Sequence, residues 1–190
     1  RWALNEQFTP LRTYQRTDIF LSWDLSGTFY AMSEEAFLEK TRFLHQHLRA
    51  QLQKSSHLLL TFGSTWAYTL SSDQQLVANC HKAPKSNFSK EMSDLEELQT
   101  KWLDLLDQLK CFNPNLQVVL TISPVRHLKD GLVENNRSKA RLHLLVETLC
   151  EKANCFYFEA LELVTDQLRD YMYFKDDGAH PNQKAIDVVW

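Results

Sequence analysis

The chain has 190 residues, of which 44% are hydrophobic and 24% charged, and its formal net charge is −3. This composition is that of an ordinary folded domain, and the small negative charge gives no electrostatic reason to expect nucleic acid or an anionic membrane as a partner. No apolar run approaches the roughly 18 residues of a membrane-spanning helix, and the first residues do not resemble a signal peptide.

The predicted elements alternate between strands and helices. Residues 17–30 mix β-branched and aromatic residues and predict an extended segment or a hairpin. Short continuous apolar runs predict buried strands over 57–62 and 116–123, the first of them buried on both faces, and residues 155–158 predict a third strand. Apolar residues at helical spacing predict helices over about 34–54, 94–110, 137–152 and 159–169, with a last helix from about 182. Polar, irregular sequence predicts loops over 71–92 and 125–136.

This order of elements predicts a parallel sheet with helices on both faces. The chain has no internal repeat and no linker rich in Pro, Gly or Ser, so we expect one domain over residues 1–190. Active sites of parallel sheets lie at the carboxyl ends of the strands. The loops that begin at Gly63, at Ser123 and after Phe158 should therefore carry the site residues.

The four cysteines are Cys80, Cys111, Cys150 and Cys155, and none forms a Cys-x-x-Cys pair. We expect free, partly buried thiols, which fits a reducing compartment such as the cytoplasm slightly better than an oxidising one. A metal site made by Cys150, Cys155 and a nearby histidine is the alternative. No metal or organic cofactor is predicted.

One short segment near the C-terminus has the residues of an acid–base pair. A histidine general base needs a partner that orients its second ring nitrogen, and Asp177 and His180 stand three residues apart in one predicted loop. Gly178 permits a tight turn, and either Asn182 caps the last helix or Pro181 occupies its first turn. A polar surface turn is the simpler alternative, but the complete Asp-Gly-x-His-Pro-Asn run favours the acid–base pair.

Several motifs resemble the GSCFA-domain family and, more broadly, the SGNH (GDSL-like) hydrolases. The run from Asp177 to Asn182 resembles the last block of the SGNH hydrolases. The other matching segments are Leu60–Tyr68, Asn79–Lys82, Asn113-Pro114, Thr121–His127, Lys129–Gly131, Asn136 with Ser138-Lys139, Leu168–Tyr171 and Asp176–Asn182. They extend over nearly the whole chain, and together they are specific where each alone would be weak.

The resemblance implies a three-layer α/β/α fold with a flavodoxin-like parallel sheet of the SGNH type, and a serine ester hydrolase that acts on an O-acylated carbohydrate or another small ester. His180 would be the base and Asp177 its orienting partner. Oxyanion donors would come from Gly63, Ser64, Thr65 and Asn79, with Gly63 as a mere turn residue the alternative. Candidate substrate contacts are His81, Arg126, His127 and Trp66. Arg126 would bind a carboxylate or phosphate, or instead pair with Asp or Glu to fix its loop.

The sequence also departs from these families. The Gly-Ser-Cys-Phe-Ala segment looks like the block that supplies the nucleophilic serine, yet neither Gly-Ser-Cys nor Gly-Asp-Ser occurs here. Thr65 stands where the SGNH Gly-x-Asn block has Asn. We therefore expect a C-terminal portion that lacks its first strand and its nucleophile turn, with the missing N-terminal segment of the same protein as a partner. Ser26 is a nucleophile candidate only if the chain is complete, and Ser123, at the end of a predicted strand, is a further candidate.

Two other functions fit the same residues. The chain could be a catalytically inactive binding or interaction module on the same scaffold, which the missing Gly-Ser turn and Thr65 favour. It could also be a metal-dependent hydrolase that uses His81, His127, His180 and Asp177, although no paired-ligand spacing supports a metal site.

Overall fold

A computed structural model describes residues 1–190. The chain forms two compact units. The first unit comprises Arg1–Ser55, Trp66–Met92 and Cys111–Asn113, and the second comprises Ser56–Thr65, Ser93–Lys110 and Pro114–Trp190. None of the helices combines the length and the apolar character that a membrane crossing requires.

The regular elements follow one another in a mixed α/β order. The strands are β1 (Thr13–Arg16), β2 (Ile19–Ser22), β3 (His57–Phe62), β4 (Trp66–Leu70), β5 (Leu76–Val77), β6 (Phe88–Met92), β7 (Gln117–Ile122) and β8 (Phe156–Phe158). The helices are α1 (Glu34–Lys54), α2 (Leu95–Phe112), α3 (Leu132–Ala153), α4 (Ala160–Glu162) and α5 (Gln183–Val189). Helix α4 continues as a wider, π-type turn over Leu163–Gln167.

The first unit contains the long helix α1 and two antiparallel sheets. Strands β1 and β2 form a hairpin, and only β2 falls within the predicted extended segment 17–30, because β1 precedes it. Strands β4, β5 and β6 pair in the order β5-β4-β6. Leu21, Phe37 and Thr41 are each 1% exposed and mark the centre of this unit's core.

The second unit is built on a parallel three-stranded sheet in the order β3-β7-β8. Leu58 pairs with Val118, and Leu120 pairs with Tyr157, so all three strands run in the same direction. Leu120 of the central strand and Leu149 of α3 are completely buried. The predicted mixed α/β fold with a parallel sheet is confirmed.

Side-chain caps place the first residue of three helices. Ser33 accepts a hydrogen bond from the Ala36 backbone N–H at 3.2 Å ahead of α1, and Asp94 accepts one from Glu97 at 3.0 Å ahead of α2. Asn182 accepts one from the Ala185 N–H at 3.3 Å, so Asn182 is the N-cap of α5. Such caps satisfy backbone donors that have no partner within the helix.

Three expectations about the elements were wrong. Strand β3 is not buried on both faces, because its residues alternate between exposed and half-buried and Leu59 is 55% exposed. Residues 71–92 are not one irregular loop, because β5 and β6 both pair with β4. Helix α3 begins at Leu132, ahead of the predicted start near 137, and its first residues are exposed although they are apolar.

Candidate functional site

Asp177 and His180 are in direct contact in the loop that precedes α5. The Asp177 Oδ2 atom lies 2.7 Å from His180 Nδ1. Its Oδ1 atom accepts the backbone N–H groups of Ala179 at 2.9 Å and His180 at 3.0 Å. Both side chains are about half exposed, at 49% for Asp177 and 52% for His180. The pair is therefore built within one turn and open to solvent.

Hydrogen bonding fixes the charge of Asp177 and the tautomer of His180. The backbone N–H of His180, then that of Ala179 and then the His180 side chain lower the pKa of Asp177 to about 2. The carboxylate is thus ionised near neutral pH and accepts a proton from Nδ1 of the ring. The lone pair of a neutral His180 is then on Nε2, and this atom has no hydrogen-bond partner in the protein.

The backbone around this pair is held on both sides. The Gly178 N–H donates to the Lys175 carbonyl at 2.8 Å, and the Lys175 N–H donates to the His180 carbonyl at 2.8 Å. Gly178 has φ +62°, a left-handed conformation that a side chain would strain. The Asn182 side chain donates to the carbonyls of Met172 at 2.7 Å and Phe174 at 3.1 Å. One short stretch therefore forms the turn, the pair and the helix cap.

Arg126 connects this loop to the segment that follows β7. Its backbone N–H donates to the Ala179 carbonyl at 3.1 Å, and its guanidinium donates to the Gly178 carbonyl at 3.2 Å. The guanidinium also lies 4.3 Å from the centre of the Phe174 ring. Arg126 thus fixes the loop through carbonyls and an aromatic ring rather than through the expected Asp or Glu, and a substrate contact stays a prediction.

The turn Gly63-Ser64-Thr65 follows β3 at the same edge of the sheet. The Thr65 N–H donates to Ser138 Oγ at 2.8 Å, and the Thr65 hydroxyl lies 3.1 Å from the same atom. Thr65 is 3% exposed, so both of its polar groups are directed into the protein. The Gly63 carbonyl also points inward, toward His127 Nε2 at 3.2 Å. Because a trans peptide is planar, the Ser64 N–H points the opposite way from that carbonyl.

Lys139 of α3 contacts the first residue of the Gly63 turn and the first residue of the loop that follows β7. Its ammonium donates to the Gly63 carbonyl at 2.7 Å and to the Ser123 carbonyl at 2.6 Å, and the residue is only 7% exposed. Burial lowers the pKa of Lys139 to about 8, while the two carbonyl hydrogen bonds favour the charged form. The His127 N–H donates to Asn135 Oδ1 at 2.9 Å, so α3 also holds the loop after β7.

An apolar groove runs along the sheet beside this region. It has a volume of about 350 Å³ and lies between the strands β3 and β7 and the helix α5. Its lining includes Ser123, which follows β7, and Pro181, which follows His180 in sequence, together with Leu59, Val119 and Trp190. Leu59 and Trp190 are 55% and 83% exposed, so large apolar side chains face solvent here.

Three predicted site residues belong to the first unit. His81 is 4% exposed, with Nε2 2.6 Å from the Ser22 carbonyl oxygen and the ring tilted against Trp23. The Asn79 side chain accepts the His81 N–H at 2.8 Å. Trp66 begins β4, and the Lys90 ammonium lies 4.7 Å from its ring centre. Roles of these residues in substrate binding or oxyanion stabilisation stay predictions.

The second unit thus brings together Asp177, His180 and Arg126 in one group, and Gly63, Thr65 and His127 in another. Sequence reasoning missed the supporting role of Asn135, Ser138 and Lys139, which are all buried on α3. The signal was present, because these polar residues continue the helical spacing of Leu142, Leu145 and Leu149. Polar residues on the buried stripe of a helix need buried partners.

No group of three or more His, Cys, Asp or Glu side chains is placed to hold a metal ion. The four cysteines are free thiols, and burial raises the pKa of Cys155 to about 11. The metal-dependent alternative therefore has no ligand cluster to support it.

Two comparisons with known proteins bear on this site. The sequence model of the GSCFA family matches residues 1–190, which is the whole chain. A comparison with curated proteins gives no significant match.

Proposed function

This chain belongs to the GSCFA family, and we propose that it carries the acid–base part of a serine ester hydrolase of the SGNH type. The observation that carries the proposal is the 2.7 Å contact between Asp177 Oδ2 and His180 Nδ1, in a His180 side chain that is 52% exposed. A histidine that is oriented on one nitrogen and open on the other has the arrangement a general base requires.

In the proposed reaction, a serine hydroxyl attacks the carbonyl carbon of an ester. His180 Nε2 takes the hydroxyl proton as the carbon–oxygen bond forms, and then gives it to the departing alcohol as the ester bond breaks. A water molecule then attacks the acyl-serine, with Nε2 again taking and returning the proton. Asp177 stabilises the imidazolium in both steps, because its low pKa keeps it ionised throughout.

The oxyanion that forms on the attacked carbonyl needs N–H donors. Among the predicted donors, the Gly63–Ser64 peptide has a fixed orientation, because Lys139 and His127 hold the Gly63 carbonyl inside the protein. Thr65 suits the donor role less, since its N–H and hydroxyl both contact Ser138. Asn79 stays a candidate in the first unit.

We further propose that the parallel sheet is that of the three-layer SGNH fold without its first strand. Strand β3 pairs only with β7, so its outer edge has no strand partner. The exposed Leu59 and the apolar groove next to it would be covered by a segment outside these 190 residues. That segment would supply the serine, because neither Gly-Ser-Cys nor Gly-Asp-Ser, the turn that would carry it, occurs in these residues. An unpaired sheet edge favours such an addition.

The substrate is proposed as an O-acyl group on a carbohydrate or another small alcohol. An inactive binding or interaction module is the second candidate. The specific observation in its favour is that the sequence lacks a Gly-Ser-Cys or Gly-Asp-Ser turn and has Thr65 after Gly63-Ser64.

A fluorophosphonate probe on the full-length protein separates the two candidates. The proposal predicts covalent labelling of a serine at a rate that falls at least about 100-fold in His180→Ala. His47→Ala is the matched control, because His47 is an exposed histidine on α1. Absence of labelling, or labelling that survives in His180→Ala, would contradict the ester hydrolase and leave the inactive binding or interaction module as the remaining candidate.

A further inference from the structure

Lys139 joins two neighbouring strands of the sheet at their carboxyl ends. Gly63 is the residue after β3 and Ser123 is the residue after β7, and one ammonium group donates to both carbonyls, at 2.7 and 2.6 Å. The two acceptors are 76 and 16 residues from Lys139 in sequence. The contact is therefore tertiary and closes the edge of the sheet at which the loops emerge.

A lysine is an unfavourable choice for this position if packing is its only task. Lys139 is 7% exposed, and no carboxylate contributes to its pKa, which burial lowers to about 8. Removing an ammonium from water without an anionic partner costs free energy. An apolar side chain of similar length would avoid this cost, so the site uses a property that only the ammonium supplies.

That property is the ability to donate several hydrogen bonds from one atom. We propose that Lys139 is a positioning residue that clamps the Gly63 and Ser123 carbonyls and thereby fixes the Gly63 turn relative to the loop of Asp177 and His180. The part this plays in ester hydrolysis rests on the function proposed above, whereas the clamp itself does not.

Each half of the clamp continues into the candidate site. On one side, the helix neighbour Ser138 accepts the Thr65 N–H at 2.8 Å, so adjacent residues of α3 hold the start and the end of the Gly63 turn. On the other side, the Val125 N–H donates to Ser123 Oγ at 3.2 Å, and the next residue, Arg126, donates from its backbone to Ala179 at 3.1 Å. Ala179 lies between the two members of the acid–base pair.

The two clamped peptides differ in what they can offer to a substrate. The peptide after Ser123 leads into Pro124, which has no N–H. The peptide after Gly63 leads into Ser64, whose N–H points away from the clamped carbonyl. A charged donor on a carbonyl also polarises the N–H of the same peptide. The clamp thus fixes the orientation of the Gly63–Ser64 peptide and only anchors the chain at Ser123.

Amide hydrogen exchange followed by NMR on the full-length protein tests the clamp. Lys139→Met keeps the length of the side chain and removes its donors, and Lys139→Arg keeps a positive charge and N–H donors. Lys152→Met is the matched control, because Lys152 is an exposed lysine of the same helix. Exchange at the amides of Thr65 and Arg126 is compared with exchange at Leu120, in the centre of the sheet.

The clamp predicts that Lys139→Met speeds exchange at Thr65 and Arg126 at least about tenfold more than at Leu120. Lys139→Arg should restore part of this protection, and Lys152→Met should change nothing. Equal acceleration at all three amides, or none, would overturn the inference, because a merely stabilising side chain affects the whole unit alike.

Fluorophosphonate labelling of the same variants shows whether the clamp serves the reaction. If the wild type is labelled, Lys139→Met should be labelled at least about tenfold more slowly, and an unchanged rate would overturn the catalytic part of the inference. If the wild type is not labelled, the proposed function fails, while hydrogen exchange still decides whether Lys139 is a clamp.

Discussion

Replacement of Lys139 by Met should change how the stability of the protein depends on pH. In the folded protein burial lowers the pKa of Lys139 from 10.5 to about 8. Between these two pH values the unfolded chain binds more protons than the folded protein, so the free energy of unfolding rises with pH through this window. Below about pH 8 both states carry the ammonium, and the folded state bears the full cost of burying it.

The interval from 10.5 to about 8 corresponds to about 3 kcal/mol. This value is an upper limit, because the hydrogen bonds to Gly63 and Ser123 favour the ammonium and draw its pKa back toward the ordinary value. The wild type should therefore gain up to about 3 kcal/mol relative to Lys139→Met between pH 8 and pH 10.5. Other titrating groups occur in both proteins and largely cancel in the difference.

The assay is urea unfolding of both proteins at several pH values from 7 to 10.5. The free energy of unfolding of Lys152→Met should depend on pH in the same way as that of the wild type, because the replaced lysine is exposed. If the free energy of unfolding of the wild type minus that of Lys139→Met stays constant or falls above pH 8, the reasoning is refuted, since the ammonium would then not bear a burial cost.

Three further changes have defined outcomes. Asp177→Ala removes the acceptor of three hydrogen bonds, so the amides of Ala179 and His180 should lose protection from hydrogen exchange. Any esterase activity should fall by about 10²–10⁴-fold. Retained activity would argue against a catalytic role of the Asp177–His180 pair. Gly178→Ala places a side chain at φ +62° and should cost about 1 kcal/mol by thermal unfolding, with no loss expected only if the turn adopts another conformation. Leu149→Ala empties a completely buried position and should lower the free energy of unfolding by about 2–5 kcal/mol. The control Leu144→Ala should lower it by only about 0.5 kcal/mol, because Leu144 is 48% exposed. Similar losses in the two variants would show that Leu149 is not in the core.

Local sequence was sufficient to predict those features that one short segment of the chain determines. The ends of α1 follow from an apolar stripe and the cap at Ser33. The strands β3 and β7 follow from continuous apolar runs, and their parallel pairing follows from the crossover that contains helix α2. The Asp177–His180 contact could be predicted because both residues lie in one turn.

Features that depend on distant partners could not be predicted in this way. Strand β6 is polar and becomes a strand because Met92 pairs with Trp66 across the sheet. The start of α3 was hidden because Leu132 and Val133 are apolar but exposed. The helical spacing of α3 marks Lys139 as a buried polar residue, but its two partners could not be predicted, because they are backbone carbonyls that no sequence pattern distinguishes.

The central claim is that His180, oriented by Asp177, is the general base of an ester hydrolase. The most direct test is the rate of acetate release from an O-acetylated oligosaccharide or p-nitrophenyl acetate by full-length protein, with His180→Ala compared with His47→Ala. We expect the wild type and His47→Ala to hydrolyse the ester at similar rates and His180→Ala to be at least about 100-fold slower. Equal rates for the wild type and His180→Ala would contradict the claim.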